Sequence, residues 1–398
     1  MSAYSELPLA GIRAIEIEHG VAHYAGKLLS DLGAEVIKAE PAGGSPSRAA
    51  EPVVAGRSVP FDYYNTGKRS VALELDSESG RAELRALISA ADLVVDDLSD
   101  SELQELGLSD ETLGSLRPGI VHLSVTPFGA SGPWRERLGS DLVSLAGGGV
   151  TASTGYDSVD GEPGEPITPT GGHAAHFGGV LAATYAVAAL LAPRTEGVLR
   201  LDVSVHDVIA VSTEIAVSLW EFGKQTVVRH TGRHAAADLH TPEWQFRCAD
   251  GRYISAITLY MNNRRFAAIK EWFAEDGLAH DLEDEKFATD KGRVENMHEI
   301  VAVMRSFFGG HDSDWLFSEA QRRQLPWAKV QLPQDLVDDP QLRARDFFTS
   351  VALPDGRLQE IPGHAWVGLP TIFDVPEQRM RAPELGEDAE ILAVQKRS

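Results

Sequence analysis

Cysteine is scarce in this sequence, where Cys248 is the one thiol in 398 residues. A lone cysteine cannot form an internal disulfide, and Cys248 stands in none of the Cys and His spacings that mark zinc sites. A chain without disulfides suits a reducing compartment. The start of the sequence, 1–8, has neither the basic nor the apolar region of a signal peptide. We therefore expect a cytoplasmic protein.

Positive charge is also in short supply. Lys and Arg number 36 against 59 Asp and Glu, which gives a formal net charge of −23. Nucleic-acid binding depends on basic side chains that neutralise phosphates, so we expect no nucleic-acid partner. A local group of basic residues and backbone N–H groups could still bind a small anion.

Long apolar runs are few. The longest, between Phe177 and Ala192, contains no charged residue, but it is shorter than the ~20 apolar residues of a membrane span. We expect no membrane partner and predict a helix buried on all faces, preceded by the glycine-rich turn Thr170–Gly-Gly-His173. That helix would hold the turn on a rigid support.

Two nucleotide-binding signatures are missing. The segment after the first predicted strand, 18–23, has no Gly-x-Gly-x-x-Gly, and no Walker lysine occurs, which argues against NAD and ATP. His230 and His234 have a metal-like spacing, but Gly232 separates them and no carboxylate completes the set, so we expect no metal.

The pattern that is present alternates strands with helices, which predicts an α/β fold with a Rossmann-like parallel sheet. Long Gly- and Pro-rich loops fill residues 126–170, where such sheets place ligands. The predicted strands are 11–17, 34–39, 70–75, 92–95, 120–125 and 199–205, and the main predicted helices are 24–32, 79–91, 101–116, 140–146 and 207–222.

Composition divides the chain further. We predict a large domain over residues 1–222, a basic linker over 223–242, a smaller α+β domain over 243–330, and a linker with a C-terminal return to the large domain over 331–398. Asp250-Gly251 predicts the turn of a hairpin in the smaller domain.

Several blocks in this order and spacing together resemble the class III CoA-transferases, or CaiB/BaiF family. The resemblance covers nearly the whole chain. The blocks are Leu9 to Arg13, Leu32 to Pro41, Asn65 to Leu73, Phe128 to Pro133, Leu201 to Val205, Ala249 to Gly251, and Asp339 to Arg345.

The resemblance implies two chains interlocked like linked rings, and an exchange of CoA between carboxylic acids. CoA or acyl-CoA would be the substrate, its phosphates and adenine lying near the loop Asn65–Ser70, with Lys68 and Arg69 as phosphate partners. Asp97 and Leu98 fall in a run that helps to hold CoA in the family. Here that run carries extra carboxylates, which should weaken the contact.

The family mechanism needs an aspartate that attacks the acyl-CoA and forms a mixed anhydride. Ala175 stands at that position, and an alanine methyl group cannot do this. The racemase branch is excluded as well, because Ser140 replaces its histidine.

Three alternatives remain for the catalytic position. His173 and His176, which flank Ala175, could supply a base or an acyl acceptor. The chain could instead be the non-catalytic half of a heterodimer with an Asp-bearing relative, rather than a homodimer. Ala175 could also be an engineered substitution.

Overall fold

The computed structural model describes residues 6–17, 19–193, 196–236, 241–256, 262–353, 356–364, 366–375 and 380–395. The chain divides into two compact units. Unit 1 comprises 1–149, 169–212 and 340–398, and unit 2 comprises 150–168 and 213–339.

The first two segments of unit 1 alternate strands and helices. In chain order they are β1 Arg13–Ile17, α1 His23–Asp31, β2 Glu35–Pro41, β3 Val53–Val54, β4 Arg57–Ser58, α2 Val59–Tyr64, β5 Arg69–Leu73, α3 Glu78–Ser89, β6 Leu93–Asp96, α4 Asp100–Glu105, α5 Asp110–Leu116, β7 Val121–Thr126, α6 Asp141–Gly147, α7 His173–Leu191, β8 Leu199–Ser204 and α8 Val205–Val211.

Six of these strands form one sheet in the order β5-β2-β1-β6-β7-β8. All five pairings are parallel, with Ala14 opposite both Val36 and Leu93. β6 and β7 are buried along their whole length, as expected for strands covered on both faces. The prediction of an α/β fold with a central parallel sheet is confirmed. The strand order reverses between β1 and β6, and this switch point is where such sheets bind ligands.

Serine side chains fix where several helices start. Ser77 caps α3, Ser109 caps α5 and Ser140 caps α6 by accepting a hydrogen bond from a backbone N–H of the first turn. Ser99 and Glu102 form a reciprocal capping box on α4.

Helix α7 differs from its prediction. One face, made mostly of alanine and glycine, is buried, whereas Phe177, Val180, Tyr185 and Leu191 are exposed on the other. The expectation that all faces are buried is therefore wrong for the single chain. With 19 residues, α7 is also long and apolar enough to cross a membrane by length and composition alone. Gly178 and Gly179 pack it tightly against Val205 and Tyr24, which identifies it as the central helix of unit 1.

Unit 2 is built around a three-stranded antiparallel sheet and a group of helices. Trp272, Phe307 and Trp327 form the centre of its aromatic core. Asp250-Gly251 makes the predicted hairpin turn, with Gly251 at φ +79°. Its elements are α9 Glu214–Gly223, β9 Val228–His230, β10 Arg233–Ala236, β11 Gln245–Arg247, β12 Tyr253–Ser255, α10 Asn263–Ala274, α11 Asp290–Glu295, α12 Met297–Gly309, α13 Ser313–Arg322 and β13 Ala328–Lys329.

The boundaries of the units differ from those predicted. The helix predicted over 207–222 is two helices, α8 and α9, and the units divide between them. Residues 150–168 join unit 2 because Asp157 Oδ1 lies 2.8 Å from His230 Nδ1, and Arg229 Nε donates to the carbonyl of Gly164. The predicted linker, 223–242, contains the β9–β10 hairpin, and its residues 237–240 lie outside the described residues.

The last segment belongs to unit 1. It contains α14 Pro340–Ala344, β14 Phe348–Ala352, β15 Leu358–Pro362 and α15 Glu390–Gln395. Asp388 Oδ2 accepts a hydrogen bond from the backbone N–H of Ser70 at 2.9 Å, which ties this segment to β5.

Candidate functional site

The loop after β1 is shaped by an aspartate that follows β6. Asp97 accepts hydrogen bonds from four successive backbone N–H groups, those of residues 19–22, at 2.7–3.3 Å. This carboxylate therefore closes the switch point between β1 and β6 and positions the start of α1. Its oxygens are engaged by the protein backbone, so its evident role is to hold the loop.

The N-terminus of α7 lies at the same edge of the sheet. Gly171 and Gly172 have φ of +116° and +74°, a conformation that favours glycine, and they turn the chain into the helix. The backbone N–H of Ala174 donates a 2.7 Å hydrogen bond to Asp141 Oδ1. Asp141, the first residue of α6, is thus fixed beside the first turn of α7.

A cavity of ≈ 680 Å³ opens beside the N-terminus of α7. A cavity of about 500 to 700 Å³ can hold a small acyl group. We call the cavity beside α7 the site cavity. Most of its wall is apolar, from Val21, Pro52, Pro60, Pro127 and Val205 among others. Its remaining lining residues include His19, His23, Glu51, Tyr64, Asp141 and Ala175. Ala175 therefore lies on a cavity wall, as the sequence argument requires.

Three aromatic side chains, Tyr64, His176 and His23, contact one another at this wall. Tyr64 Oη lies 2.8 Å from His176 Nε2, and the His23 ring stacks on Tyr64 with centroids 3.9 Å apart. Burial lowers the pKa of His176, lowers the pKa of His23 to about 3 and raises the pKa of Tyr64 to about 12. At neutral pH the two imidazoles are neutral and the phenol is protonated.

The structure separates the two histidines predicted beside Ala175. His176 contacts the cavity wall through Tyr64, whereas His173 is exposed at the helix start. Neither is among the described residues that line the site cavity. Tyr64, His23 and His19 were not predicted as site residues, because no local motif marks them. Asp141 was not predicted as a site residue either, although a Ser-Asp pair at a helix start is a recognisable cap.

A second cavity, of ≈ 820 Å³, lies along the carboxyl ends of β1, β2, β5 and β6. We call it the edge cavity. Leu98 and Ile17 contribute to its apolar wall, and its charged lining is four carboxylates, Glu74, Asp76, Glu102 and Glu105, with one guanidinium, Arg81. His19 lines both cavities. The loop that Asp97 holds therefore borders both cavities.

The other residues predicted to bind CoA lie elsewhere. Lys68 is fully buried, and its Nζ lies 2.7 Å from Glu16 Oε2 and 3.0 Å from the His23 carbonyl oxygen. Ser70 Oγ donates to Glu40, and Asn65 Nδ2 donates to the Phe61 carbonyl. These contacts give all three residues a structural role, and the prediction that Lys68 binds phosphate gains no support.

Arg69 is exposed but is the first residue of β5, so it lies at the amino end of the sheet. There it lines a separate cavity of ≈ 500 Å³ together with Arg13, and its Nε is 3.4 Å from Glu35 Oε1. We call this the amino-end cavity. The loop Asn65–Ser70 and the site cavity therefore do not form one continuous binding site for the phosphates and the thioester of CoA.

The described residues contain no group of three or more His, Cys, Asp and Glu side chains arranged to hold a metal ion. His230, one of the two histidines weighed as a metal ligand, lies 2.8 Å from Asp157 instead.

Known proteins resemble this chain over almost its whole length. Succinate–glutarate CoA-transferase of Agrobacterium fabrum is 29% identical, covering 97% of this chain and 95% of that protein. The BbsE subunit of succinyl-CoA:(R)-benzylsuccinate CoA-transferase of Thauera aromatica is 30% identical, covering 84% and 82%.

A crystal structure of a CAIB/BAIF family protein from Brucella suis superposes with a TM-score of 0.81 at 25% identity, covering 98% of this chain and 100% of that one. Residues 9–389 match the family described as CoA-transferase family III. The chain belongs to CoA-transferase family III.

Proposed function

We propose that the chain moves CoA from an acyl-CoA to a second carboxylic acid, and that the exchange takes place in the site cavity. The observation that carries this proposal is that Ala175, at the position where the family resemblance places the reacting carboxylate, lies on the wall of that cavity. The cavity also lies at the switch point of the sheet, where ligands of this fold class bind.

CoA reaches the site cavity through the edge cavity. The uncharged pantetheine arm passes His19, which lines both spaces, and Leu98 offers an apolar surface to the adenine. Four carboxylates and a single arginine line the edge cavity. We therefore place the phosphates of CoA toward its open rim, where water screens the like charges.

The site cavity favours an acyl group without a second charge. Asp141 and Glu51 contribute carboxyl groups, burial lowers the pKa of His23 to about 3, and no Lys or Arg is among the described lining residues. A buried carboxylate without a cationic partner is costly. The two relatives named above are called a succinate–glutarate and a succinyl-CoA:(R)-benzylsuccinate CoA-transferase. In this chain the terminal carboxylate of a succinyl group would face carboxylates.

The exposed apolar face of α7 supports a dimer. Phe177, Val180, Tyr185 and Leu191 lie three, five and six residues apart along one side of the helix and are 49–83% exposed. An apolar surface of this kind in a water-soluble enzyme marks an association site. We place the partner chain of the predicted dimer here, whether a second copy or a relative.

The purified chain alone tests the function. Hexanoate is offered with butyryl-CoA or with succinyl-CoA, and hexanoyl-CoA is measured by mass spectrometry. The donors differ mainly in one terminal carboxylate. We expect transfer from both, with kcat/KM about tenfold or more in favour of butyryl-CoA, equivalent to about 1.4 kcal/mol. Preference for succinyl-CoA contradicts the charge argument. Transfer that appears only after an Asp-bearing relative is added assigns this chain the non-catalytic role.

A further inference from the structure

Asp141 and Glu51 are the two carboxylates among the described residues that line the site cavity with Ala175. Asp141 Oδ1 accepts the N–H of Ala174, the residue adjacent to Ala175, at 2.7 Å, and both Asp141 and Ala175 line the site cavity. The Asp141 carboxyl group thus reaches the first turn of α7 from another helix, α6. No other hydrogen bond of the Asp141 side chain occurs among the described residues, which leaves Oδ2 able to react.

The other candidates on or near the wall are less suited. Glu51 is exposed, and its Oε2 accepts the backbone N–H of Val53 at 2.8 Å. His176 Nε2 is engaged by Tyr64 at 2.8 Å and does not line the cavity. Asp141 is the carboxylate that is both half-buried in the wall and held by the helix that carries Ala175.

We propose that Asp141 is the nucleophile of this CoA-transferase. The inference rests on the proposed function, since it names the group that performs it. An ionised carboxylate is a competent covalent catalyst for acyl transfer because the anhydride it forms keeps the group-transfer potential of the thioester.

The steps balance without a further reactant. Asp141 Oδ2 attacks the thioester carbonyl, the C–S bond breaks, and CoA leaves as the thiolate, which gives an Asp141–acyl anhydride. The thiolate attacks the Asp141 carbonyl of that anhydride, releases the first acid as a carboxylate and leaves an Asp141–CoA thioester. The second acid attacks this thioester and expels the thiolate, and the thiolate then takes the new acyl group and restores the Asp141 carboxylate.

The surroundings of Asp141 suit this role. The Ala174 N–H holds one oxygen, so the carboxyl group is oriented before substrate binds. Tyr64 lines the site cavity together with Asp141, and His176 Nε2 lies 2.8 Å from Tyr64 Oη. Since both are uncharged at neutral pH, neither is a cationic partner that would reduce the nucleophilicity of the carboxylate.

The test is trapping with borohydride, which reduces an enzyme–CoA thioester to an alcohol. The chain is incubated with butyryl-CoA, treated with borohydride and mapped by peptide mass spectrometry. The proposal predicts homoserine at residue 141. Asp141→Asn keeps an oxygen that can accept the Ala174 N–H, and it should lower transfer by at least about a thousandfold with a similar melting temperature. Glu136→Gln, which alters an exposed carboxylate, is the matched control.

The outcomes separate the two proposals. Wild-type transfer with a trapped adduct at another residue, or transfer retained by Asp141→Asn, overturns the role of Asp141 and leaves the proposed function standing. A wild-type chain that transfers CoA between none of the acids offered overturns both.

Discussion

Lys68 Nζ lies 2.7 Å from Glu16 Oε2, and neither side chain is exposed to solvent. The same ammonium donates to the carbonyl oxygen of His23, the first residue of α1. Lys68 therefore links β1, α1 and the segment before β5. Its contact with His23, which lines the site cavity, helps to hold the wall of that cavity in place.

We predict that Lys68→Met lowers the free energy of unfolding by about 3 to 5 kcal/mol, because Glu16 loses a buried partner. Urea unfolding measures the change. Lys291→Met, which removes an exposed lysine from α11, should change stability by less than about 0.5 kcal/mol. A Lys68→Met chain of unchanged stability with a raised KM for acyl-CoA would instead support phosphate binding by Lys68.

His122 is buried between two aspartates, with Nε2 2.5 Å from Asp96 Oδ2 and Nδ1 3.1 Å from Asp110 Oδ1. Burial by itself lowers the pKa of His122, but the hydrogen bonds to Asp96 and Asp110 outweigh it and raise the pKa. A raised pKa in the folded state stabilises the fold fully below the unfolded value of ~6.5, and this stabilisation is lost as pH rises through the folded-state pKa.

We therefore predict that His122→Gln costs more stability at pH 6 than at alkaline pH, with a loss of about 3 kcal/mol at the acidic end. Unfolding free energies of both proteins across this range provide the test. A difference between the two proteins that stays constant with pH would show that His122 does not bind an extra proton in the folded state.

Gly179 lets α7 pass close to α1. A Cβ atom at Gly179 would lie 2.8 Å from Tyr24 Cβ and 3.0 Å from the backbone N of Ala25. We predict that Gly179→Ala lowers the melting temperature, even though alanine favours helix by about 1 kcal/mol over glycine. At Gly309, also in a helix, a Cβ would meet nothing within 4 Å, so Gly309→Ala should be neutral or stabilising. Equal effects of the two substitutions would contradict the close packing.

The exposed face of α7 should hold a partner chain. We predict that Val180→Asp with Leu191→Asp shifts the chain from dimer to monomer in sedimentation velocity, because charges are depleted from the core of such interfaces. Val294→Asp places the same charge on an exposed valine of α11 in unit 2 and should leave the assembly unchanged. A wild-type chain that sediments as a monomer would contradict the association of two copies through this face.

The periodic parts of the fold could be predicted from the sequence. β1, β2 and β6 carry apolar residues in strand patterns and α3 carries them at helical spacing, so their burial follows from local order. The boundary between the two units could not be predicted from the sequence, because it depends on contacts between distant residues. Asp157 and His230 are 73 residues apart, and their hydrogen bond brings the loop 150–168 into unit 2.

The site residues could be predicted only in part, because some of them also meet through contacts between distant parts of the sequence. The glycine-rich turn before α7 pointed to Ala175, which does line a cavity. Tyr64 in α2 contacts His176, which is 112 residues away in the sequence, and Asp141 in α6 contacts Ala174, which is 33 residues away. No local sequence pattern indicates such contacts. The Lys68 prediction rested on charge at the start of a strand, and a sequence alone does not reveal that Glu16 neutralises that charge inside the core.

We propose that the thioester reacts in the site cavity beside Ala175, and this is tested by filling each of two cavities with the same side chain. Ala175→Phe fills the site cavity, and Ala90→Phe fills the amino-end cavity. Transfer from butyryl-CoA to hexanoate is measured for both variants, with melting temperature as the control for folding. We predict a loss of kcat/KM of about a hundredfold or more for Ala175→Phe and near wild-type transfer for Ala90→Phe. Full transfer by a folded Ala175→Phe chain would show that the thioester does not react in the site cavity.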